Sequence, residues 1–218
     1  ANPDSTLIIS PSDHYISDIT SFSSLIKKGL EIAKRNKIVS IGIKPSSPNE
    51  QYGYIQKGKK KGPFFEVLDF KEKPNKHNAK KYFRSKKYLW NSGIFICHSS
   101  LLISEISKHE PKIFDICSQA MTKNKSVITK LFNKCPPKSI DHALMEKTEA
   151  GVVIEGNLSW NDLGSWNSIL EVSKKDTNRN VSNGSTHFIN SKNNLVKLDG
   201  QNATIKDIDN IILVQQGK

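Results

Sequence analysis

Apolar residues follow two alternating patterns along the first part of the chain. Residues 6–10, 38–43 and 88–98 are nearly continuous apolar runs of the length that forms strands. Between the first two runs, residues 22–33 place apolar side chains at helical spacing, which predicts a helix of about four turns with Ser21 available as its cap. This order predicts a βαβ unit in which residues 6–10 form a central strand buried on both faces.

The same alternation continues to about residue 174 and predicts an α/β fold. Proline and glycine mark a turn-rich connection over residues 44–56, and residues 58–62 are predicted to form an exposed turn. Pro111 suits the first turn of a helix. The remaining predicted strands cover residues 64–71 and 151–155, and the remaining predicted helices cover residues 75–87, 101–108, 111–121, 139–147 and 165–172.

The amino-acid composition of the chain changes near residue 175. Beyond it Asp, Asn, Ser and Gly become frequent, and short apolar segments recur about every eight residues. This spacing predicts short strands that begin a solenoid. We therefore predict a first domain over residues 1–175 and a second over 176–218.

The net charge of +12 raises the question of a nucleic-acid partner. Residues 57–87 hold twelve basic and three acidic side chains, a net charge of +9. The whole chain has only three arginines, however, and base readout favours the planar guanidinium group. A solvated lysine-rich surface is the favoured interpretation, with a nucleic-acid-binding module as the alternative.

Composition also excludes several classes of protein. No apolar run approaches the roughly 20 residues that span a bilayer, and no secretory signal is visible, so no membrane partner is predicted. Cys97, Cys117 and Cys135 make an odd count without CxxC spacing, which predicts reduced packing residues in a cytoplasmic protein. Walker A, HExxH and GxSxG motifs are absent from the sequence.

Two aspartates are candidate ligands of Mg²⁺. Asp13 and Asp162 both lie in short loops at the ends of predicted strands. Mg²⁺ takes one or two carboxylates and leaves other positions to water and substrate phosphates, so the pair would suit a metal-bound nucleotide. The alternative is local: Asp13 would form an Asx turn, and Asp162 would cap the helix near Ser165.

Two further segments combine polar groups at strand positions. Glu72 and Lys73 precede Pro74, where a carboxylate could accept bonds from sugar hydroxyls while the ammonium faces a phosphate; a surface strand end is the alternative. Asn91 lies beside Gly93, which permits a close backbone approach or a structural bulge.

Taken together, these segments resemble the sugar-nucleotide pyrophosphorylases, and most closely the bacterial mannose-1-phosphate guanylyltransferases. The segment at 139–147, with its Ser-Ile-Asp and Met-Glu-Lys sequences, resembles the mannose and guanine branch rather than the glucose and thymine branch. The matching segments, in chain order, are residues 11–14, 45–48 with 52–55, 70–74, 89–95, 139–147 and 160–166.

The resemblance implies a fold, a reaction and a set of site residues. The fold would be a Rossmann-like nucleotidyltransferase domain followed by the start of a left-handed β-helix. The reaction would join GTP and mannose 1-phosphate into GDP-mannose and pyrophosphate. The implied residues are Asp13 and Asp162 on Mg²⁺, Lys73 on the sugar phosphate, and Gly53, Glu72, Asn91 and Asp141 around the sugar.

The sequence departs from the family pattern in two places. Family members open with a glycine-rich GGxGTRLWPxSR loop that these residues lack, so we expect a fragment that is nearly inactive alone. His142 occupies a position where the family more often has tyrosine. The alternatives are another sugar-1-phosphate nucleotidyltransferase and a non-catalytic subunit of the same fold. A homo-oligomer is left open.

Overall fold

The computed structural model describes residues 5–121 and 125–215. The chain divides into two compact units, one containing Ala1–Ser12 and Ile16–Trp160, the other Asp13–Tyr15 and Asn161–Lys218. This division falls earlier than residue 175, so the helix that follows Ser165 belongs with the repeats of the second unit. The domain boundary near residue 175 stays a prediction.

Strands and helices alternate through the first unit, and the α/β prediction is confirmed. Tyr88–His98 and the predicted helices after Pro74 and Leu101 form close to their expected positions. The strands up to residue 161 are β1 Thr6–Ile9, β2 Tyr15–Ile16, β3 Ile38–Ile43, β4 Tyr54–Lys61, β5 Phe64–Lys71, β6 Tyr88–His98, β7 Gly151–Gly156 and β8 Trp160–Asn161. The helices are α1 Ile19–Ala33, α2 Lys76–Ser85, α3 Ser99–His109, α4 Pro111–Ala120, α5 Lys125–Phe132 and α6 Trp166–Val172.

The prediction that residues 6–10 form a central strand buried on both faces is wrong. β1 lies at the edge of a sheet ordered β1-β6-β3-β7-β5-β4, and 48% of Ile8 is exposed. The central position belongs to β3, whose six residues are all buried and which pairs in parallel with β7. β6 lies between β1 and β3, antiparallel to both. A short apolar run does not distinguish an edge strand from a central one, because both can present apolar side chains.

An additional pairing between β4 and β6 closes β3, β6, β4, β5 and β7 into a ring. Gly42 of β3 lies close to side chains of two neighbouring strands of this ring, β6 and β7. A Cβ atom there would lie 2.6 Å from Leu89 Cδ1 and 2.8 Å from Val153 Cγ2. Only glycine fits between these two side chains without displacing them.

The predicted exposed turn at residues 58–62 is shorter than expected. β4 continues to Lys61, β5 begins at Phe64, and Lys61 pairs with Phe64. The turn is therefore Gly62 and Pro63, with Gly62 at φ +60°. A two-residue hairpin of this kind needs a positive φ at its first position, and glycine supplies it without strain.

Three further details differ from the sequence analysis. Asp18, not Ser21, caps α1: the Ser21 N–H donates to Asp18 Oδ1 at 2.9 Å. The segment predicted as a short helix over 139–147 forms a π-helical turn at Asp141–Met145. Cys97 is buried as predicted, but Cys117 is exposed on α4, because that helix buries none of its residues fully.

No helix in the described ranges is long and apolar enough to cross a membrane.

Short parallel strands form the repeats of the second unit. β11 pairs in parallel with β9 and β13, and β10 pairs in parallel with β12. Asn194 is fully buried between these repeats, where its amide oxygen accepts from Ile211 N–H at 3.0 Å and its backbone N–H donates to Asn180 Oδ1 at 3.1 Å. The strands are β9 Val181–Asn183, β10 Thr186–Ile189, β11 Leu195–Lys197, β12 Ala203–Lys206 and β13 Ile212–Val214.

Candidate active site

Strand register brings together three of the predicted sugar-site residues. Tyr54 at the start of β4 is opposite Lys71 on β5 and Trp90 on β6. Because β4 is antiparallel to β5 and β6, Gly53 just before Tyr54 lies in one row with Glu72 just after Lys71 and Asn91 just after Trp90. Asn91 N–H donates to the Gly53 carbonyl at 2.8 Å.

A side chain at position 53 would displace the Glu72 carboxylate and crowd Asn91. A Cβ atom at this position would lie 2.4 Å from Glu72 Oε2 and 3.1 Å from Asn91 Cβ. Any larger residue would push the Glu72 carboxylate out of its place beside the backbone. The Gly53 main chain, which is buried, thus lies directly next to a carboxylate with no side chain between them, an arrangement that suits a closely held polar ligand.

Asp141 joins the row from the π-helical turn. Asn91 Nδ2 donates to Asp141 Oδ1 at 2.8 Å, while Asn91 Oδ1 accepts from the N–H of Gly93 at 3.0 Å. Both ends of the Asn91 amide are therefore fixed. The pairing of β3 with β6 shifts register beside Asn91, and Gly93 has φ +72°, so the bulge interpretation of this segment is confirmed.

Glu72 is half-buried, and one oxygen of its carboxylate is shielded from solvent. Its Oε2 atom is shielded from solvent and has no hydrogen-bond partner among the described residues. Burial raises the pKa of Glu72, and the neighbouring Asp141 carboxylate raises it further, whereas Lys73 and His142 act in the opposite direction. A buried acceptor of this kind gains most from a ligand that brings hydroxyl or N–H donors.

Glu146 supports the segment that carries Glu72, a role that the sequence did not predict. Its Oε1 atom accepts from the Glu72 backbone N–H at 3.2 Å, and its Oε2 atom is 3.2 Å from His142 Nδ1. Burial would raise the pKa of Glu146, but the bonds to His142 and Glu72 lower it below its usual value. The sequence signal was present: His142 and Glu146 are four residues apart, so a helical turn places them on one face.

Lys73 follows Glu72 in an unusual backbone conformation. Its φ of +44° lies in the left-handed region, which non-glycine residues rarely adopt. Pro74 follows directly, and residues before proline prefer extended backbone, so the conformation at Lys73 is strained. Strain of this kind is typical of positions where a side chain must be aimed in one direction.

Asp13 and Asp162 both belong to the second compact unit. β2 pairs with β8, and Ser17 N–H donates to the Ser159 carbonyl at 3.2 Å, the register of an antiparallel ribbon with Tyr15 opposite Asn161. Asp13 precedes β2 and Asp162 follows β8. The two aspartates therefore lie beyond the same end of the ribbon.

The alternative in which Asp162 caps a helix is wrong. Ser165 caps α6, and its Oγ accepts from Ser168 N–H at 3.1 Å. Asp162 instead orders its own loop, with Oδ1 accepting from Gly164 N–H at 3.0 Å. Within residues 5–121 and 125–215, no group of three or more His, Cys, Asp or Glu side chains is placed to hold a metal ion. A pair of aspartates would bind Mg²⁺ together with water and substrate phosphates.

Comparison with known proteins places the chain in a family. Residues 1–179 match the nucleotidyl transferase family. Over 97% of the chain, 34% of residues are identical to a mannose-1-phosphate guanylyltransferase of Escherichia coli, and 36% to the xanthan biosynthesis protein XanB of Xanthomonas campestris. The chain spans about half the length of these relatives, 48% in both cases.

Solved structures show the same fold. A crystal structure of a protein called mannose-1-phosphate geranyltransferase, from Thermus thermophilus, matches 97% of this chain and 63% of its own, with a TM-score of 0.88 and 26% identity. A structure called mannose-6-phosphate isomerase, from Helicobacter pylori, matches 74% of this chain and 66% of its own, with a TM-score of 0.68 and 28% identity. By its sequence over residues 1–179 and by its mixed α/β fold, the chain belongs to the nucleotidyl transferase family.

Proposed function

We propose that the protein is a mannose-1-phosphate guanylyltransferase, which forms GDP-mannose and pyrophosphate from GTP and mannose 1-phosphate. One observation carries the proposal: the shielded Oε2 atom of Glu72, which has no hydrogen-bond partner among the described residues, lies against the Gly53 backbone, beside the hydrogen-bonded Asn91–Asp141 pair. The relatives named as guanylyltransferases support the nucleotide and the sugar.

The four residues would bind mannose through its hydroxyl groups. Glu72 accepts hydroxyl hydrogens and so recovers the stabilisation that burial removes from its carboxylate. Asn91 and Asp141 already share one hydrogen bond, which holds both side chains in place before the sugar arrives. Gly53 lets the sugar approach the main chain. Recognition then depends on the positions of several hydroxyl groups at once.

The reaction is a displacement at phosphorus. A phosphate oxygen of mannose 1-phosphate attacks the α-phosphorus of GTP, the new P–O bond forms as the bond to the β-phosphate oxygen breaks, and pyrophosphate leaves with the electron pair. Lys73 would hold the sugar phosphate in line for the attack and offset its charge. Asp13 and Asp162 would hold Mg²⁺, which when bound neutralises charge on the triphosphate.

Further proposals concern the fold of the repeats, the cellular location of the protein and its partners. We propose that the parallel repeats after Asn180 begin a left-handed β-helix; their one-directional stacking on buried asparagine supports a solenoid. We also retain the prediction of a cytoplasmic protein without a nucleic-acid partner.

The test is release of pyrophosphate by the full-length protein, with GTP, ATP, UTP and dTTP each offered with mannose 1-phosphate or glucose 1-phosphate and Mg²⁺. The proposal expects turnover with GTP and mannose 1-phosphate to exceed every other pair. Asp162→Asn and Asp13→Asn should each lower kcat by about a hundred-fold or more, the scale of losing a charge-stabilising group.

A binding measurement separates the sugar site from the reaction. Titration calorimetry measures the affinity of the protein for mannose 1-phosphate. Glu72→Gln and Asn91→Ala should each weaken that affinity by about ten-fold, the equivalent of one strong hydrogen bond. Glu50→Gln, an exposed carboxylate of the same charge, is the matched control. Unchanged affinity in both site variants would reject the sugar site, and preference for another nucleotide and sugar would reject the named activity.

A further inference from the structure

Residues of β4, β6, β7 and α2, with the segment after β3, line a cavity outside the candidate active site. It has a volume of about 570 Å³, within the roughly 300–1,000 Å³ range of small-molecule sites. Lys44 follows β3 and Glu155 is near the end of β7, so the cavity lies at the carboxyl ends of these two parallel strands. Mouths of β-barrels and carboxyl ends of strands are common ligand sites.

The charges that line this cavity are unbalanced. Lys57 pairs with Glu155, the single acidic side chain of the described lining, at 2.9 Å. Lys44, Arg84 and Lys86 also line the cavity, and none of the ion pairs within the described ranges includes them. Three positive charges therefore face one cavity without acidic partners, which favours an anionic ligand with several charges.

The remaining wall is apolar and partly rigid. Phe83 and Tyr88 present aromatic rings, and Leu89 is almost fully buried behind them. Tyr88 is held from two sides: its ring stacks on Tyr82 with centroids 4.2 Å apart, and its hydroxyl donates to Gln56 Oε1 at 3.0 Å. A ligand would thus meet a pre-ordered aromatic surface, which reduces the entropy lost on binding.

The cavity is separate from the sugar site. Tyr88 and Asn91 are three residues apart on β6, a distance of about 10 Å along a strand. None of Gly53, Glu72, Asn91 and Asp141 lines the cavity. A molecule bound here would therefore contact β4 and β6, the strands that position the sugar site, without occupying that site.

We propose that this cavity, the β3 mouth, binds a nucleoside diphosphate or triphosphate at a second site. The base would pack on Phe83 and Tyr88, and the phosphates would face Lys44, Arg84 and Lys86. A nucleic acid fits less well, because a concave cavity of this volume encloses one small ligand and the lining has a single arginine. The inference does not depend on the proposed enzymatic activity.

Titration of the protein with GDP, and separately with inorganic pyrophosphate, tests this site. The variant Lys44→Gln, Arg84→Gln, Lys86→Gln removes the three unpaired charges. Its matched control, Lys27→Gln, Lys28→Gln, Lys112→Gln, removes three charges from exposed positions on α1 and α4. Each triple variant changes the net charge equally, and circular dichroism verifies that both remain folded.

To isolate the β3 mouth, the titrations are repeated in a Lys73→Ala, Asp162→Asn background. We expect GDP binding to persist there, to weaken about ten-fold or more in the mouth variant, and to stay unchanged in the control. Pyrophosphate should bind more weakly than GDP because it lacks the base. Absence of GDP binding in this background, or equal weakening in both triple variants, would overturn the proposal.

Discussion

At the scale of single residues, the environment of Glu72 opposes stability. The side chain is half-buried, its Oε2 atom is shielded without a hydrogen-bond partner among the described residues, and a second acid, Asp141, is close enough to raise its pKa. Folding shifts Glu72 towards its neutral form, because burial and Asp141 raise its pKa above the ordinary value of 4.5. Folding therefore binds protons at this group, and stability falls as pH rises through and above 4.5.

Glu72→Gln should accordingly stabilise the protein at neutral pH. The amide has a similar shape and no charge to desolvate, so we expect the midpoint of thermal unfolding at pH 8 to rise, by about 2–4 °C for each kcal/mol gained. The gain should shrink as pH falls towards 4.5, where the wild-type carboxylate becomes protonated. Differential scanning calorimetry from pH 4 to 8 measures it, with Glu50→Gln as control; a gain independent of pH would contradict this account.

At the scale of elements, the π-helical turn and the β5 terminus depend on each other. The turn supplies Asp141 to the amide of Asn91, and Glu146 just after it holds the backbone of Glu72. Lys147 and Lys138 both bond to Glu110 at the start of α4, which connects the same segment to the α3–α4 pair. A segment secured at several points in this way can keep a strained residue such as Lys73 in place.

Removing the Glu146 side chain should loosen the β5 terminus. In Glu146→Ala the Glu72 N–H loses its acceptor, and we expect its hydrogen exchange to accelerate roughly two- to ten-fold, the equivalent of one net hydrogen bond. Glu146→Gln keeps an acceptor oxygen and should preserve the protection. Amide exchange measured by NMR distinguishes the two variants, and equal exchange in both would show that this bond does not hold the loop.

At the scale of the whole molecule, the folded ring of β3, β6, β4, β5 and β7 gives the first unit its central structure. Strand register brings Gly53, Glu72 and Asn91 into one row, where Glu146 and Asp141 hold two of them, and the β3 mouth lies at the carboxyl ends of β3 and β7. Gly42 belongs to β3, a strand of this ring, and the Leu89 and Val153 side chains leave no space there for a side chain. The strands that close the ring, β4 and β6, also lead into Gly53 and carry Asn91.

Gly42→Ala should destabilise the fold by about 1–3 kcal/mol, because the added methyl group overpacks the ring. Gly151→Ala is the matched control on β7: its Cβ atom would meet nothing closer than 3.7 Å, so we expect no loss of stability and a small gain from reduced chain entropy. Urea unfolding measures both variants. Equal free energies of unfolding would show that the ring relaxes freely around Gly42.

The sequence alone was sufficient for features that depend on local pattern. Periodicity predicted the α/β class and the bounds of β6, proline marked the start of α4, and the quoted motifs identified the family. It also named Gly53, Glu72, Asn91 and Asp141 for one pocket, and their roles stay predictions. Turns, helix periods and motifs are read within a few consecutive residues, so they need no knowledge of distant contacts.

Only the tertiary structure determined the features that depend on contacts between distant segments of the chain. The edge position of β1, the closure of the ring through β4 and β6, the support of Glu72 by Glu146 and the charged mouth beside Lys44 all join residues far apart in the chain. Strand order and register are set by packing over the whole sheet, and the same apolar run satisfies an edge or a centre equally well. Strand order and register therefore follow from the pairing of backbone donors and acceptors across the whole sheet, which the folded structure shows.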